Sequence, residues 1–366
     1  MEWYELSDSD QVQSPSLLVF PERIKYNAEL MTEMAKSIDR LRPHIKTHKM
    51  AEIIKIQLDL GITKYKCATL KEAEVLAKSG AKDILLAMQP VSYQLKKYVE
   101  MILNYPGITF STIVDNSITA RELHNAAIES ELILNVWLDL NNGMDRTGIQ
   151  PGKEAEELFI HLCDDPYLLI QGFHVYDGHI HQEDPILRAQ QCDQDYEAIT
   201  KLKNRLENNG FMVPEIIAGG TPTFPIHQKR TGVQLSPGTP LLWDAGYGSN
   251  YKDLEFLLAA VLFTRIVSKP NNNLLCLDLG HKSVASEMNL PRVAFLGNHE
   301  FQQISQSEEH LVVKCLNSDS YEIGQGFYAV PIHICPTVAK YPEALTVQDN
   351  KVIGSWQIAA RDHNIN

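Results

Sequence analysis

The sequence predicts a (β/α)8 TIM barrel followed by a C-terminal β domain, and three observations carry that prediction. Between Pro21 and about Trp243, short apolar runs alternate with longer stretches of helical periodicity, the pattern of a parallel sheet wound with helices. Eight such runs occur in that span, and eight βα units in a row favour a closed parallel barrel over an open sheet. Beyond Trp243 the texture changes to strand-like runs spaced by Asn, Asp, Ser and Gly turns, with little helical periodicity after about Ala260.

In chain order, residues 1–20 form an N-terminal segment that is either flexible or an added strand of the β domain. Its opening, MEWYELSDSDQVQSP, is polar and acidic, unlike a signal peptide. Pro21 opens a helix with apolar Ile24, Leu30, Met31 and Met34. The barrel, residues 21–245, then offers strands HIK (44–46), KYKCAT (64–69), DILLAM (83–88), FSTIV (110–114), LILNVWL (132–138), LLIQGFHV (168–175), PEIIAG (214–219) and GVQLS (232–236). Asp184 followed by Pro185 is an N-cap with proline at the first helical position, and Gly210 closes that segment. The β domain, residues 246–366, carries VLFTRIVSK, LLCLDLG, HLVVKCL, FYAVPIHIC and KVIGSWQIAAR.

Composition narrows the function classes. A length of 366 residues suits one large domain and a smaller one. A net charge of −13 argues against a nucleic-acid partner, which needs a basic face. No run approaches the roughly 18 apolar residues of a membrane span. The six cysteines are far apart with no CxxC spacing, which reads as a reduced, cytoplasmic protein.

In a barrel, chemistry sits where strands end. The strand ends here are Lys46, Thr69, Gln89, Asp115, Asp139 with Arg146, Tyr176 with His179, Gly219-Gly220-Thr221, and Ser236-Pro237-Gly238-Thr239. Solvated loops are polar too, so each position alone has an ordinary reading; the joint pattern carries more. GGTPT, Gly219 to Thr223, lets the backbone approach an anion, with hydroxyls from Thr221 and Thr223 nearby. SPGTP at the next strand end is a second cradle, and strands seven and eight are where barrels hold phosphate. In RPHIKTHKM, Lys46 would share that rim. A lysine there forms a Schiff base if burial and neighbouring cations activate it, and Arg42, Lys49, His44 and His48 are the nearby sources of charge. A solvated basic loop is the rival reading of the same stretch.

Together these residues resemble the fold-type III pyridoxal-phosphate enzymes, specifically the D-threonine aldolase and D-serine dehydratase family. RPHIKTHK is similar to that family's RPHxKTHK signature, and KCATLKEAEVLAKSG to its CxTxxEAExxxxxG segment. GMDRTG is similar to the GxxRxG loop, HVYDGHIH to the YxGH motif, and GGTPT and SPGT to the phosphate-binding pair. The resemblance implies pyridoxal 5'-phosphate on Lys46 and Arg146 at its phenolate, with Tyr176 and His179 near ring and substrate. It implies a phosphate site of Gly219, Gly220, Thr221, Ser236, Gly238 and Thr239, with Gln89 on the same rim.

VPIHICPT adds His333 and Cys335. On a strand, residues two apart face the same way and can grip one ion; the same pair on an apolar strand is often core. The family's PNHxC or HxD element holds a divalent metal, which makes the pair its counterpart, although Ile332 stands where asparagine is usual. Imidazole with thiolate favours zinc, whereas an aspartate at the second place would suit manganese.

The implied activity is a metal-assisted lyase acting on D-3-hydroxy amino acids. One form is retro-aldol cleavage to glycine and an aldehyde, with His179 or His181 as base. Another is dehydration, as by D-serine dehydratase, to pyruvate and ammonia. An amino-acid racemase and a non-catalytic carrier of the cofactor are further readings. The expected partners are a small D-amino acid and, by resemblance, a second copy of the chain in a homodimer.

Overall fold

The computed structural model describes residues 1–297 and 299–365. The chain divides into two compact units. One comprises Met1–Leu30, Thr47–Ile53 and Thr239–Asp362; the other comprises Met31–Lys46, Ile54–Gly238 and His363–Asn366.

The first unit opens with strand β1 (Ser16–Val19), so the N-terminal segment does contribute a strand. The second unit holds β2 (Lys64–Cys67), β3 (Asp83–Leu86), β4 (Thr109–Val114), β5 (Leu134–Leu140), β6 (Leu168–Val175), β7 (Glu215–Ala218) and β8 (Val233–Leu235). These pair in parallel in that order, a curled, TIM-like sheet of seven strands. The expected eighth, HIK, makes isolated bridges instead: Leu41 pairs with Leu235 on β8 and His44 with Lys66 on β2. Pro43 has no N–H to give a ladder, and the chain turns at residues 45–48, so the segment spans the gap without becoming a strand. Four main-chain bonds hold it: Arg42 N to Leu235 O, His44 N to Pro237 O, Ile45 N to Lys66 O and Lys66 N to Pro43 O, at 2.9 to 3.0 Å.

Helices between these strands begin and end where local chemistry dictates. Thr69 caps Leu70–Ser79 by accepting from the Glu72 N–H at 3.1 Å, while the Glu72 carboxylate accepts from the Ala68 N–H, a reciprocal cap. Asp184 accepts from Ile186 and Leu187 N–H at the head of Pro185–Asn208. Leu85, Ile113, Trp137 and Ile217 form a cluster on one face of the curled sheet. Registration extends that inward face: Lys66 pairs with Leu85, Asp139 with His174, and His174 with Ile217. Paired residues of neighbouring strands share a face.

The first unit continues with β9 (Ala260–Asn271), β10 (Leu274–Leu277), β11 (Val293–Phe295), β12 (Gln302–Gln306), β13 (Leu311–Lys314), β14 (Gly326–Pro331), β15 (Glu343–Gln348) and β16 (Lys351–Gln357). Their order is β12-β13-β10-β9-β1-β15-β16, with β14 joining β9 to β11. β1 lies antiparallel to β9 and parallel to β15. Its inward Leu18 packs with Tyr4, Leu6, Val12, Phe20, Val261, Phe263, Val330 and Val347. Among the described residues no helix is long and apolar enough to cross a membrane.

Candidate active site

The barrel unit gathers three cations at one aromatic ring. Tyr176 follows β6, and its ring lies over Gly178, where a Cβ would stand 2.4 Å from ring atoms. The Nζ atoms of Lys46 and Lys66 each lie 5.7 Å from the ring centroid, and the Arg146 guanidinium carbon 4.8 Å. A ring face attracts a cation, but three cations at one ring repel each other unless an anion joins them. Lys46 stands in the turn beyond the His44 bridge, its N–H donating to His44 Nδ1 at 3.2 Å. Lys66 is 3% exposed. Burial first, then Lys46, lowers its amine to about 7, against the pull of Asp177 and Asp139.

Next to these stands a buried pair on the inward face of β5 and β6. His174 Nδ1 lies 2.7 Å from Asp139 Oδ1. Burial lowers the His174 pKa despite that carboxylate. Asp139 Oδ2 and His174 Nε2 are buried without hydrogen-bond partners. These two atoms, on one inward face and close enough to Lys66 and Arg146 to feel their charge, are available to a ligand.

The glycine loop is held from below by one carboxylate. Gly219 has φ +81°, and a Cβ there would lie 2.6 Å from His227 and 2.9 Å from Thr223. Neither neighbour is free to move. Asp177 accepts from His227 Nε2 at 2.7 Å, the Thr223 hydroxyl at 2.9 Å and the Gly220 N–H at 3.1 Å. Burial alone would raise the Asp177 carboxyl, but His227 and these donors outweigh it and hold it below the usual carboxylate range. The helix after the loop is a single turn, Phe224–His227. The two cradles meet where the Gly238 N–H donates to Thr221 Oγ1 at 3.2 Å. The Ser236 hydroxyl instead donates to the Arg42 carbonyl at 2.9 Å.

Ligand atoms of Asp177, His227 and Cys192 all lie within 4.8 Å of one another, a spacing that a metal ion can bridge. In this chain the same atoms are already engaged with one another and with Arg230. Arg230 Nη1 is 3.2 Å from His227 Nδ1 and 3.9 Å from Cys192 Sγ, and burial pushes the Cys192 thiol up to about 12. Asp177 is spent on His227, Thr223 and the Gly220 N–H, and the group acts as the mount of the glycine loop.

In the other unit, His333 and Cys335 do not lie on a strand as the sequence suggests. β14 ends at Pro331, His333 is the N-cap of helix Ile334–Val338, and Cys335 is in its first turn beside Pro336. The two side chains are hydrogen-bonded to each other, and His333 Nδ1 lies 2.5 Å from Glu287 Oε1. Burial opposes protonation of His333, but Cys335, Glu287 and Asp244 outweigh it and push its pKa to about 9. Thr47 Oγ1 lies 3.1 Å and Thr239 Oγ1 3.9 Å from the Cys335 sulfur.

The remaining expected residues fall as follows. His179 Nε2 bonds Asp195 Oδ2 at 2.8 Å, leaving Nδ1 buried and without a partner. His181 is exposed. Gln89 spends its amide on Asp115 and Asn116. Of the charges expected to activate Lys46, Arg42 is buried in a two-pronged bond to Asp83 at 2.7 Å per prong. Lys49 donates to the Ala360 carbonyl, and burial takes His48 down to about 3, leaving it neutral. The cation beside Lys46 is Lys66, read from sequence as one more strand residue. Its signal was a lysine at an inward strand position, legible only once the register is known.

Comparison with known proteins agrees across the chain. Residues 19–241 match the family model "Alanine racemase, N-terminal domain", and 259–347 match "Putative serine dehydratase domain". D-threonine aldolase of Arthrobacter sp is 26% identical over 96% of this chain and 93% of that protein. 3-Hydroxy-D-aspartate aldolase of Paracoccus denitrificans (strain Pd 1222) is 26% identical over 97% and 93%. D-serine dehydratase of Dictyostelium discoideum is 24% identical over 96% and 97%. The crystal structure of D-threonine aldolase from Filomicrobium marinum superimposes with a TM-score of 0.88 at 24% identity, covering 96% of this chain and 95% of that one. With a family model spanning most of the barrel and relatives aligned end to end, the chain belongs to the alanine racemase N-terminal-domain family, within the fold-type III pyridoxal-phosphate enzymes.

Proposed function

We propose that the chain is a pyridoxal-phosphate-dependent, metal-assisted lyase that cleaves D-3-hydroxy amino acids to glycine and an aldehyde. The observation that carries this reading is Lys46 at the Tyr176 ring beside Arg146, with the Gly219-Gly220 loop on the same unit. The residues fit the cofactor. The loop leaves no room for a side chain where a phosphate is expected, the cations await an anionic ring, and Asp139 and His174 keep buried atoms unspent. When bound, the cofactor supplies an electron sink for charge left at Cα.

Lys46 Nζ is the amine that would hold the cofactor, and it is placed to carry a proton. Gly219, Gly220, Thr221 and Gly238 would bind the phosphate, and Arg146 and Tyr176 would orient the ring. His179 Nδ1 takes the proton of the substrate's hydroxyl, its ring fixed by Asp195 on the other nitrogen. His333 and Cys335 fit a divalent ion of the softer kind, zinc before manganese, which would supply Lewis-acid polarisation of a hydroxyl. Thr47, whose hydroxyl approaches Cys335, follows Lys46 in the chain. A homodimer belongs to this reading by resemblance, and cytoplasmic residence by its free cysteines.

Dehydration is the second reading, favoured by the imidazole–thiolate pair and by the likeness to D-serine dehydratase. In that case Lys46 Nζ takes the Cα proton. Incubation with D-threonine and D-serine separates the two. Glycine and acetaldehyde from D-threonine support the aldolase; pyruvate and ammonia from D-serine, with D-threonine left uncleaved, overturn it.

A further inference from the structure

Lys66 is a second lysine in the barrel that no step above uses. It is 3% exposed and faces inward on β2, and its backbone is bonded on both sides to the segment that carries Lys46. Among the described residues none accepts a hydrogen bond from its Nζ; Asp177 and Asp139 act on it only as charges at a distance. Neither can serve as its full counter-ion. Asp177 is committed to His227, Thr223 and Gly220, and one oxygen of Asp139 to His174. On the other side stand Lys46 and, across the Tyr176 ring, Arg146, while Arg42 is already paired with Asp83, so the ring keeps more positive than available negative charge. Buried ammonium groups without a partner are costly, and the usual remedy is an anion.

We propose that Lys66 is a further cofactor-site residue, an anion receptor that takes the ionised ring hydroxyl of pyridoxal phosphate as its counter-charge. The phosphate has its own donors in the glycine loops, whereas Lys66 shares the Tyr176 ring with Lys46 and Arg146, the two residues read as facing the aldehyde and the ring oxygen. This rests on the reading of Lys46 as the amine that holds the cofactor. Lysine at this site supplies charge where hydrophobic residues would fill a barrel interior, so its removal leaves space and no unpaired partner.

The test is cofactor affinity, read from absorbance titration of the cofactor-stripped protein and not from turnover. Lys66→Met should weaken pyridoxal phosphate binding roughly tenfold or more, the loss of one charge-assisted bond, and Lys66→Arg should recover most of it. Binding of 3-O-methylpyridoxal phosphate, which has no ionisable ring hydroxyl, and of inorganic phosphate should not change. An unaltered pyridoxal phosphate affinity in Lys66→Met overturns the proposal, as does an equal loss for the O-methyl analogue; a loss for inorganic phosphate assigns Lys66 to the phosphate instead. If Lys66→Met does not fold, Lys66→Gln replaces it in the same three titrations. Borohydride reduction of the wild-type holoprotein separates this from the underlying reading: cofactor fixed on Lys46 keeps that reading whatever Lys66 does, and none fixed there sinks it.

Discussion

Replacing Asp177 with asparagine should release the glycine loop while leaving its shape nearly intact. The carboxylate and the His227 ring are each 1% exposed by side chain and stand 2.7 Å apart. Asparagine keeps an acceptor for the Thr223 hydroxyl and the Gly220 N–H but loses the charge facing His227. Breaking a buried pair from one side costs about 3 kcal/mol or somewhat more. For a unit of this size each kcal/mol moves Tm by roughly 2–4 °C, so the drop at neutral pH should be roughly 6–12 °C. The pH dependence adds a second mark. Asp177 is held below the usual carboxylate range in the folded chain, so its contribution is present above that range and lost as pH falls through the lower, folded-state pKa. Wild type and Asp177→Asn should therefore differ near pH 7 and draw together in acid, as pH falls through the lowered folded-state pKa. Urea melts at both pH values, with a phosphate titration of the stripped protein, check this. A difference under about 1 kcal/mol at pH 7, or one that persists in acid, refutes the role of that charge.

Three more outcomes follow from the same geometry. His333→Ala should lose the bound metal by elemental analysis and lose lyase turnover, while cofactor absorbance stays; full activity without metal would refute the hydroxyl-activation role. His179→Asn should lower kcat by about 100-fold or more with cofactor affinity unchanged, the usual worth of a positioned base, and an unchanged kcat would return that role to His181. Arg42→Ala should destabilise the barrel by about 3 kcal/mol in urea melts, because Asp83 and Gln234 lose a buried guanidinium; a loss under about 1 kcal/mol would show that the Asp83 pair is not what holds Arg42 in place.

The barrel and its loops were legible because their signals are local. GGTPT and SPGTP announce close backbone approach by composition alone, and DP before a helical run announces a cap. The eighth strand misread for a local reason too, since Pro43 lacks the N–H that a ladder needs. What stayed hidden depends on register. Lys66 and His174 look like ordinary residues of short strands until β2 is paired with β3 and β5 with β6. Arg42 read as an activating charge because its partner Asp83 lies on another strand. His333 and Cys335 were expected on one strand face, but the chain enters a helix at Ile334, with Pro336 in its first turn, where a continuing strand was expected.

The gap-spanning segment has a consequence for how the protein is made. Arg42 and Gln234, bonded at 2.6 Å, are 192 residues apart in sequence. Closing a loop that long is slow to be rewarded, and the contact cannot form before the last strand of the sheet exists. On a ribosome, Lys46 leaves the exit tunnel early yet cannot be aligned until residues beyond Leu235 have emerged. The nascent chain thus completes the setting of Lys46 late, after the other strands of the sheet have been made.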